Sequence, residues 1–357
     1  MTDQLAQWRH ETDAAITATL EAVSSSVAQA VPDAHEVLAP AMRYAAGGKR
    51  LRALLLLASH AAHEGTATQA AVSLAAALEL FQTAALLHDD VLDGSDTRRG
   101  GPAAHREIET LHRAMGWQGD AESFGAAGAI LAGDLTLMAC QRAVSRAVAA
   151  APERTVLLGT MFSEMADLVT AGQYADMRAA AQPLAALGEQ EVQIRAVMRA
   201  KTASYSAEFP LAMGAAVAGA SDDAISAMRT IGRDLGIAFQ LRDDVLGLVG
   251  RPEVTGKPAG DDVREGKRTL LAWYAWSHGD TTARESIALA FGNRDASDTT
   301  VAAAVDAVVR SGAVAHVEQE IARLTQAART RLHALGLGDA GADMLDALIT
   351  QVVDRQH

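Results

Sequence analysis

The chain has 357 residues, 49% hydrophobic but only 4% aromatic, so it can bury a large core made of small and aliphatic side chains. A formal net charge of −13 excludes the broad basic face that a nucleic-acid partner requires. The lone cysteine, Cys140, excludes an internal disulfide and any multi-cysteine metal site; with no charged-then-apolar leader and no apolar run of bilayer-spanning length, a cytoplasmic protein without an integral membrane segment is expected.

Alanine- and leucine-rich stretches with only 8 prolines favour helix, because alanine loses no side-chain entropy on entering one. The prediction is an all-α protein forming one domain over residues 1–357, with its motifs between about 40 and 270. In chain order, an amphipathic helix runs from about Leu5 to Ala30, and Val31-Pro32-Asp33 ends it. Gly47-Gly48 interrupts the next pattern before a basic cluster, and a helix begins at Leu51. Longer helices are predicted at Thr68–Leu92, Glu122–Ala150, Glu153–Arg178, Glu189–Ala218 and Asp222–Leu248. Turn-rich stretches fall at Gly94–Pro102, Gly116–Asp120 and Gly250–Gly266, the last read as a mobile loop over a site.

Two helix ends carry the chemistry. In Leu87-His88-Asp89-Asp90-Val91-Leu92-Asp93, helical geometry puts Asp89 and Asp93 on one face, about 6 Å apart. Like charges at that spacing repel, and they stand at the negative end of the helix dipole, so a cation is the natural explanation. All-oxygen ligands that leave most of the coordination sphere open suit magnesium, which keeps its waters and accepts a phosphate. The second end is Phe239-Gln240-Leu241-Arg242-Asp243-Asp244-Val245-Leu246-Gly247, with Gln240 on the same side as Asp243 and Asp244. Two such ends facing each other would clamp one diphosphate between metal ions. Positive charge recurs at Gly47-Gly48-Lys49-Arg50-Leu51-Arg52 and Arg98-Arg99-Gly100-Gly101, with Lys201-Thr202, Lys257 and Lys267 as further candidates.

Taken together, GGKRLR, QTAALLHDDVLDGSDTRRG, KTA and GIAFQLRDDVLG…GKPAGDDVREGK resemble, in order and spacing, the trans-isoprenyl diphosphate synthases, in particular the bacterial branch making geranylgeranyl or longer diphosphates. The resemblance runs from Gly47 to about Thr269. It implies an antiparallel helical bundle around a deep central cavity, working as a homodimer on isopentenyl diphosphate and an allylic prenyl diphosphate, with roughly three magnesium ions per active site. It further implies that Asp89, Asp93 and Asp243 bind magnesium, supported by Asp90 and Asp244. Lys49, Arg52, Gln82 and Arg99 match the isopentenyl diphosphate site. Arg98, Lys201, Gln240 and Lys257 match residues around the allylic diphosphate, with Lys267 joining on loop closure, and Thr202 and Phe239 match residues beside the reacting carbons. One position departs from the family pattern: Gly247 stands where the second motif ends in aspartate, so weaker metal affinity is expected, with Asp261 or Asp262 the candidates to compensate.

The reaction ionises an allylic diphosphate, whose developing charge metal ions and cationic side chains neutralise in a dry cavity. Product length should follow from the wall above Asp89, where Ala84 and Ala85 leave room; Phe81, eight residues before Asp89 and so about 12 Å from it along the axis by helical rise, is the candidate floor. Geranylgeranyl diphosphate is the expected product. Two rivals remain at this level. A class I terpene cyclase would leave Lys49, Arg52 and Arg99 unexplained, and a non-catalytic regulatory subunit is hard to reconcile with intact Asp89, Asp90 and Asp93.

Overall fold

The computed structural model describes residues 2–250 and 260–353, whose regular elements are helices apart from one two-stranded hairpin, in agreement with the all-α expectation. They gather into two compact units, Met1–Gly159 with Met213–Ala220, and Thr160–Ala212 with Ser221–His357.

Helix α1 (Thr2–Ala30) stops where Pro32 opens a short 3-10 segment that leads into α2 (Ala39–Ala45). Past the Gly47–Gly48 turn, α3 (Leu51–Ala62) is buried over nearly its whole length. There follow α4 (Thr68–Asp93), the hairpin β1 (Thr97–Arg98) and β2 (Gly101–Pro102), α5 (Ala104–Ala114) and α6 (Ala121–Ala150). The main packing of this unit is α4 against α6. Small side chains on both helices permit the approach: Ala75, Ala76, Ala77 and Ala84 on α4, and Gly125, Ala129, Ala132, Gly133 and Ala139 on α6, are all buried. At Gly133 the fit leaves no room for a methyl group, because a Cβ there would lie 2.1 Å from Nε2 of His88. Helix α4 ends at Asp93 because the next residue, Gly94, turns left-handed (φ 64°), its N–H donating to the carbonyls of Asp90 and Val91.

Helices α4 and α6 are each long and apolar enough, by length and composition, to cross a membrane. Runs of alanine and glycine carry that property, which is why the short leucine runs conceal it. In α4 the apolar window is 72% buried inside the protein, whereas α6 buries only 39% of its window and exposes Phe124, Ile130, Leu131 and Met138.

The rest of the chain forms α7 (Thr155–Ala180), α8 (Glu191–Val197), a π-helical stretch (Met198–Glu208), α9 (Phe209–Val217) and α10 (Asp222–Val249). After the undescribed residues come α11 (Asp261–Glu265), α12 (Leu270–His278), α13 (Thr281–Ala290), α14 (Asp298–Arg310), α15 (Ala313–Ala334) and α16 (Asp339–Val353). The helix predicted over Glu189–Ala218 is thus three consecutive helical segments with a widened middle, and α11 occupies the end of the stretch read as a loop. In the second unit α10 packs on the π stretch and on α15. Its glycines make the first contact possible: a Cβ at Gly232 would lie 2.4 Å from the Ala207 carbonyl oxygen, and one at Gly236 2.6 Å from the Ala203 Cα. The fully buried Glu208 fastens the same joint, accepting hydrogen bonds from Arg199, Arg229 and Arg233.

Candidate active site

In the first unit the site is built on the last turn of α4. Asp89 and Asp93 are half-buried, while Asp90 points inward and is fully buried. Both Asp90 oxygens are engaged: Oδ1 accepts from Nε of Arg98 at 2.8 Å and from the other arm of the same guanidinium, and Oδ2 accepts from the Tyr44 hydroxyl at 2.5 Å. The Tyr44 oxygen in turn accepts the Ala104 N–H at 3.0 Å. Burial and the adjacent Asp90 carboxylate both raise the Tyr44 pKa, keeping the phenol protonated. Burial opposes the charge on Arg98, but the hydrogen bond and charge of Asp90, with Asp89 adding to them, raise its pKa. Asp90, expected beside the metal, is therefore committed in this structure to holding the hairpin and α2. Arg98, expected at the allylic diphosphate, is its partner.

That hairpin turns through Arg99 and Gly100, at φ 52° and 75°. A left-handed arginine is strained by about 1–3 kcal/mol, and such strain persists where the surroundings dictate it. Here they do. Nη1 of Arg99 donates to the carbonyls of Tyr44 and Gly47, the latter at 2.8 Å. Arg50, the second left-handed arginine of the pair (φ 53°), donates to the same Gly47 carbonyl at 2.9 Å, to Ala45 and, at 2.6 Å, to Asp13. The two basic motifs thus meet at one glycine turn, although Gly47 and Arg99 are 52 residues apart in sequence. Burial lowers the Arg99 pKa, and so do the like charges of Arg50, Arg98 and Arg52, with Glu79 only partly relieving them. Such a cluster of arginines calls for an anion. Lys49 is exposed at the turn, and Oε1 of Gln82, on α4, is buried without a hydrogen-bond partner among the described residues.

In the second unit Lys201 and Thr202 lie in the π stretch, a helix irregularity that often marks function. Lys201 Nζ is 2.6 Å from Oδ2 of Asp176 on α7, and Gly172 admits the approach, since a Cβ there would lie 2.5 Å from the Lys201 backbone nitrogen. At the end of α10, Phe239 is buried and Asp243 half-buried, and Gln240 Nε2 donates to Oδ1 of Asp244 at 2.7 Å. Burial, assisted by the charges of Asp262 and Asp243, pushes the Asp244 carboxyl up to about 8, so it holds a proton at neutral pH. Lys267 is paired with Asp262 at 2.6 Å and Glu265 at 2.9 Å; although burial opposes its charge, these carboxylates raise its pKa. Lys257 lies outside the described residues. Among the described residues no three acidic, histidine or cysteine side chains converge into a metal cage. One or two carboxylates per ion, with the remaining positions left to water and phosphate oxygens, is the arrangement magnesium accepts, so the donor set fits it.

Tyr44, Arg50 and Asp176 were absent from the residues singled out by sequence. Arg50 stood inside a recognised motif, but nothing local distinguishes Tyr44 or Asp176, whose partners lie 46 and 25 residues away.

A family profile described as polyprenyl synthetase matches residues 35–308. The chain belongs to the polyprenyl synthetase family. It is a polyprenyl diphosphate synthase, a prenyltransferase of isoprenoid biosynthesis with the all-α isoprenoid synthase fold. The synthase is 33% identical to geranylfarnesyl diphosphate synthase of Aeropyrum pernix over 87% of this chain and 91% of the relative. It is 36% identical to geranylgeranyl diphosphate synthase of Methanosarcina mazei over 68% and 69% of the two chains. Among solved structures, geranylgeranyl pyrophosphate synthase of Corynebacterium glutamicum, complexed with isoprenyl diphosphate and magnesium, is similar over 99% of both chains, with 34% identity and a TM-score of 0.88.

Proposed function

We propose that the synthase condenses isopentenyl diphosphate with an allylic diphosphate to give geranylgeranyl diphosphate, and that it works as a homodimer. The observation that carries the two-substrate reading is the convergence of Arg50 and Arg99 on the Gly47 turn, next to the Arg98–Asp90 pair at the acidic end of α4. A cyclase acting on a single diphosphate has no use for that second cationic pocket, and a non-catalytic subunit has no use for either.

On this reading Asp89, Asp93 and Asp243 hold magnesium, which when bound neutralises the leaving diphosphate. Lys201, Gln240 and Lys267 bind or orient the allylic diphosphate, and Lys257 belongs with them by sequence match. The Gly47–Gly48 turn, with Lys49, Arg52, Gln82 and Arg99, receives isopentenyl diphosphate and fixes its double bond for attack. Thr202 and Phe239 line the reacting carbons and keep water away. The proton released on condensation leaves with the departing diphosphate, so no protein base is assigned. For chain length, Ala85 is half-buried on the face of α4 that carries Asp89, Ala84 is fully enclosed beside it, and the buried Phe81 is taken as the floor. The dimer reading rests on α6, where Phe124, Leu131 and Met138 form an exposed apolar stripe at helical spacing.

Arg99→Ala tests the reading. The Michaelis constant for isopentenyl diphosphate should rise by about tenfold or more, the loss of one charge-assisted anion contact of roughly 1.5–3 kcal/mol. That for the allylic substrate should change little. An equal effect on both would contradict the assignment. Light scattering of the purified protein gives the oligomeric state, and a monomer would refute the dimer.

A further inference from the structure

We propose that Asp262 supplies the carboxylate that the second acidic motif lacks at Gly247. The proposal rests on the reading above that this motif holds magnesium.

Gly247 stands one helical turn beyond Asp243, on the same face of α10. A side chain from this position would project where a second motif carboxylate is needed, and glycine offers none. The space is nonetheless filled. A Cβ built on Gly247 would lie 2.2 Å from Oδ2 of Asp262, 3.1 Å from its Cγ and 3.7 Å from its Oδ1. The carboxylate at this place therefore belongs to a residue 15 positions further along the chain.

Several constraints hold it there. The short helix α11 is bounded by Gly260 and Gly266, both left-handed at φ 78° and 72°. The Gly260 N–H donates to the Gly247 carbonyl at 3.2 Å, fastening the turn to the end of α10. Val263 is buried beneath it. On the other side, Lys267 donates its backbone N–H to the Asp262 carbonyl at 3.0 Å and its ammonium to Oδ1 at 2.6 Å. Lys267 thus grips one carboxylate oxygen and turns the other toward Gly247. Near it stand Asp243, Asp244 and the polar end of a small cavity lined by Asp244, Asp262, Lys267 and Thr269. Asp243, Asp262 and Glu265 against Lys267 leave an excess of negative charge, as a cation site requires.

Since among the described residues no three carboxylates converge on one point, Asp262 acts as an outer carboxylate that orients the metal's waters rather than as one wall of a cage. It follows that Gly247 is obligatory: any side chain at this position displaces Asp262.

The test is direct Mn²⁺ binding to the full chain, measured by calorimetry or electron paramagnetic resonance with an unreactive allylic thiodiphosphate present. Asp262→Asn should weaken Mn²⁺ by about 10- to 100-fold, the usual loss for an outer partner of a metal site. Gly247→Asp combined with Asp262→Gly moves the carboxylate onto α10 and should restore affinity to within severalfold of the native chain. Gly247→Asp alone should bind Mn²⁺ poorly, with a thermal melt reporting whether it has kept its fold. Were Asp262 only the counterion of Lys267, Asp262→Asn would weaken nothing further in a Lys267→Met background; that complete non-additivity overturns the proposal. Unchanged Mn²⁺ affinity in Asp262→Asn, alongside lost affinity in Asp243→Asn, overturns it equally while sparing the metal reading of the motif. Unchanged affinity in both would remove the metal reading and the proposal with it.

Discussion

Replacing Asp90 by asparagine separates a positioning role from a metal-binding one. In the native protein Asp90 is fully buried, Oδ1 takes the Arg98 guanidinium and Oδ2 takes the Tyr44 hydroxyl. Asparagine keeps one acceptor for Arg98 but loses the charge, and its amide turns a donor toward Tyr44, whose oxygen already accepts the Ala104 N–H. Breaking a fully buried ion pair costs about 3–5 kcal/mol. The Arg98 side chain is 23% exposed and asparagine preserves one hydrogen bond, so roughly 1–3 kcal/mol is the fitting figure. The consequence passes along the hairpin to Arg99, whose left-handed turn depends on its neighbour staying in place. A displacement of about 1 Å at a binding group can cost up to 100-fold, so the Michaelis constant for isopentenyl diphosphate should rise by about 10-fold or more. Two-substrate steady-state kinetics at a series of magnesium concentrations is the assay. Tyr44→Phe should shift the same constant in the same direction, by less. If Asp90→Asn instead raises the magnesium requirement and leaves the isopentenyl diphosphate constant alone, Asp90 is a metal ligand and the positioning argument fails.

Further outcomes follow from the same geometry. Because the folded Asp244 carboxyl titrates near 8 and its unfolded counterpart near 3.8, the folded chain binds the extra proton between them, so apo stability should fall as pH rises through that window and level off above it; in chelator-containing buffer Asp244→Asn should flatten this slope, and an unaltered pH profile would count against the buried, protonated carboxyl. Gly133→Ala forces a methyl group against the His88 ring, at about 1–3 kcal/mol for overpacking while the ring stays on the Ile130 carbonyl, which a denaturant titration should register; a neutral result would mean that the ring swings aside. Ala85→Phe should shorten the product and Phe81→Ala lengthen it, as read by mass spectrometry of the prenyl alcohols after dephosphorylation. Product lengths unchanged in both would remove α4 from the control of chain length.

Much of this architecture is legible from the residues alone, and the exceptions have physical reasons. The long helices are written in alanine-rich composition and in punctuation, as where Pro32 closes α1 and Gly94 closes α4 one residue past Asp93. The π stretch is not, because widening a helix leaves its composition unchanged and is imposed by packing, here of Gly232 and Gly236 on its backbone. Motif chemistry identifies the acidic helix ends and the basic turns, but not how they are joined. Tyr44 carries no local signature, and its bond to Asp90 spans 46 residues. A short stretch such as Arg98-Arg99-Gly100-Gly101 announces a turn, but that Arg99 as well as Gly100 is left-handed follows only from the carbonyls of Tyr44 and Gly47 that await its side chain. At Gly247 sequence shows a missing carboxylate and offers Asp261 and Asp262 as candidates; that the Asp262 carboxylate lies against this glycine is visible only in the fold.

The central claim is a two-substrate chain elongation, and product analysis tests it most directly. The purified protein is supplied with magnesium and an allylic diphosphate, with and without isotopically labelled isopentenyl diphosphate, and the products are weighed by mass spectrometry. The account predicts linear diphosphates extended by whole labelled isoprene units, with geranylgeranyl diphosphate the main species, and no turnover when isopentenyl diphosphate is withheld. A cyclic hydrocarbon formed from the allylic diphosphate alone would contradict it.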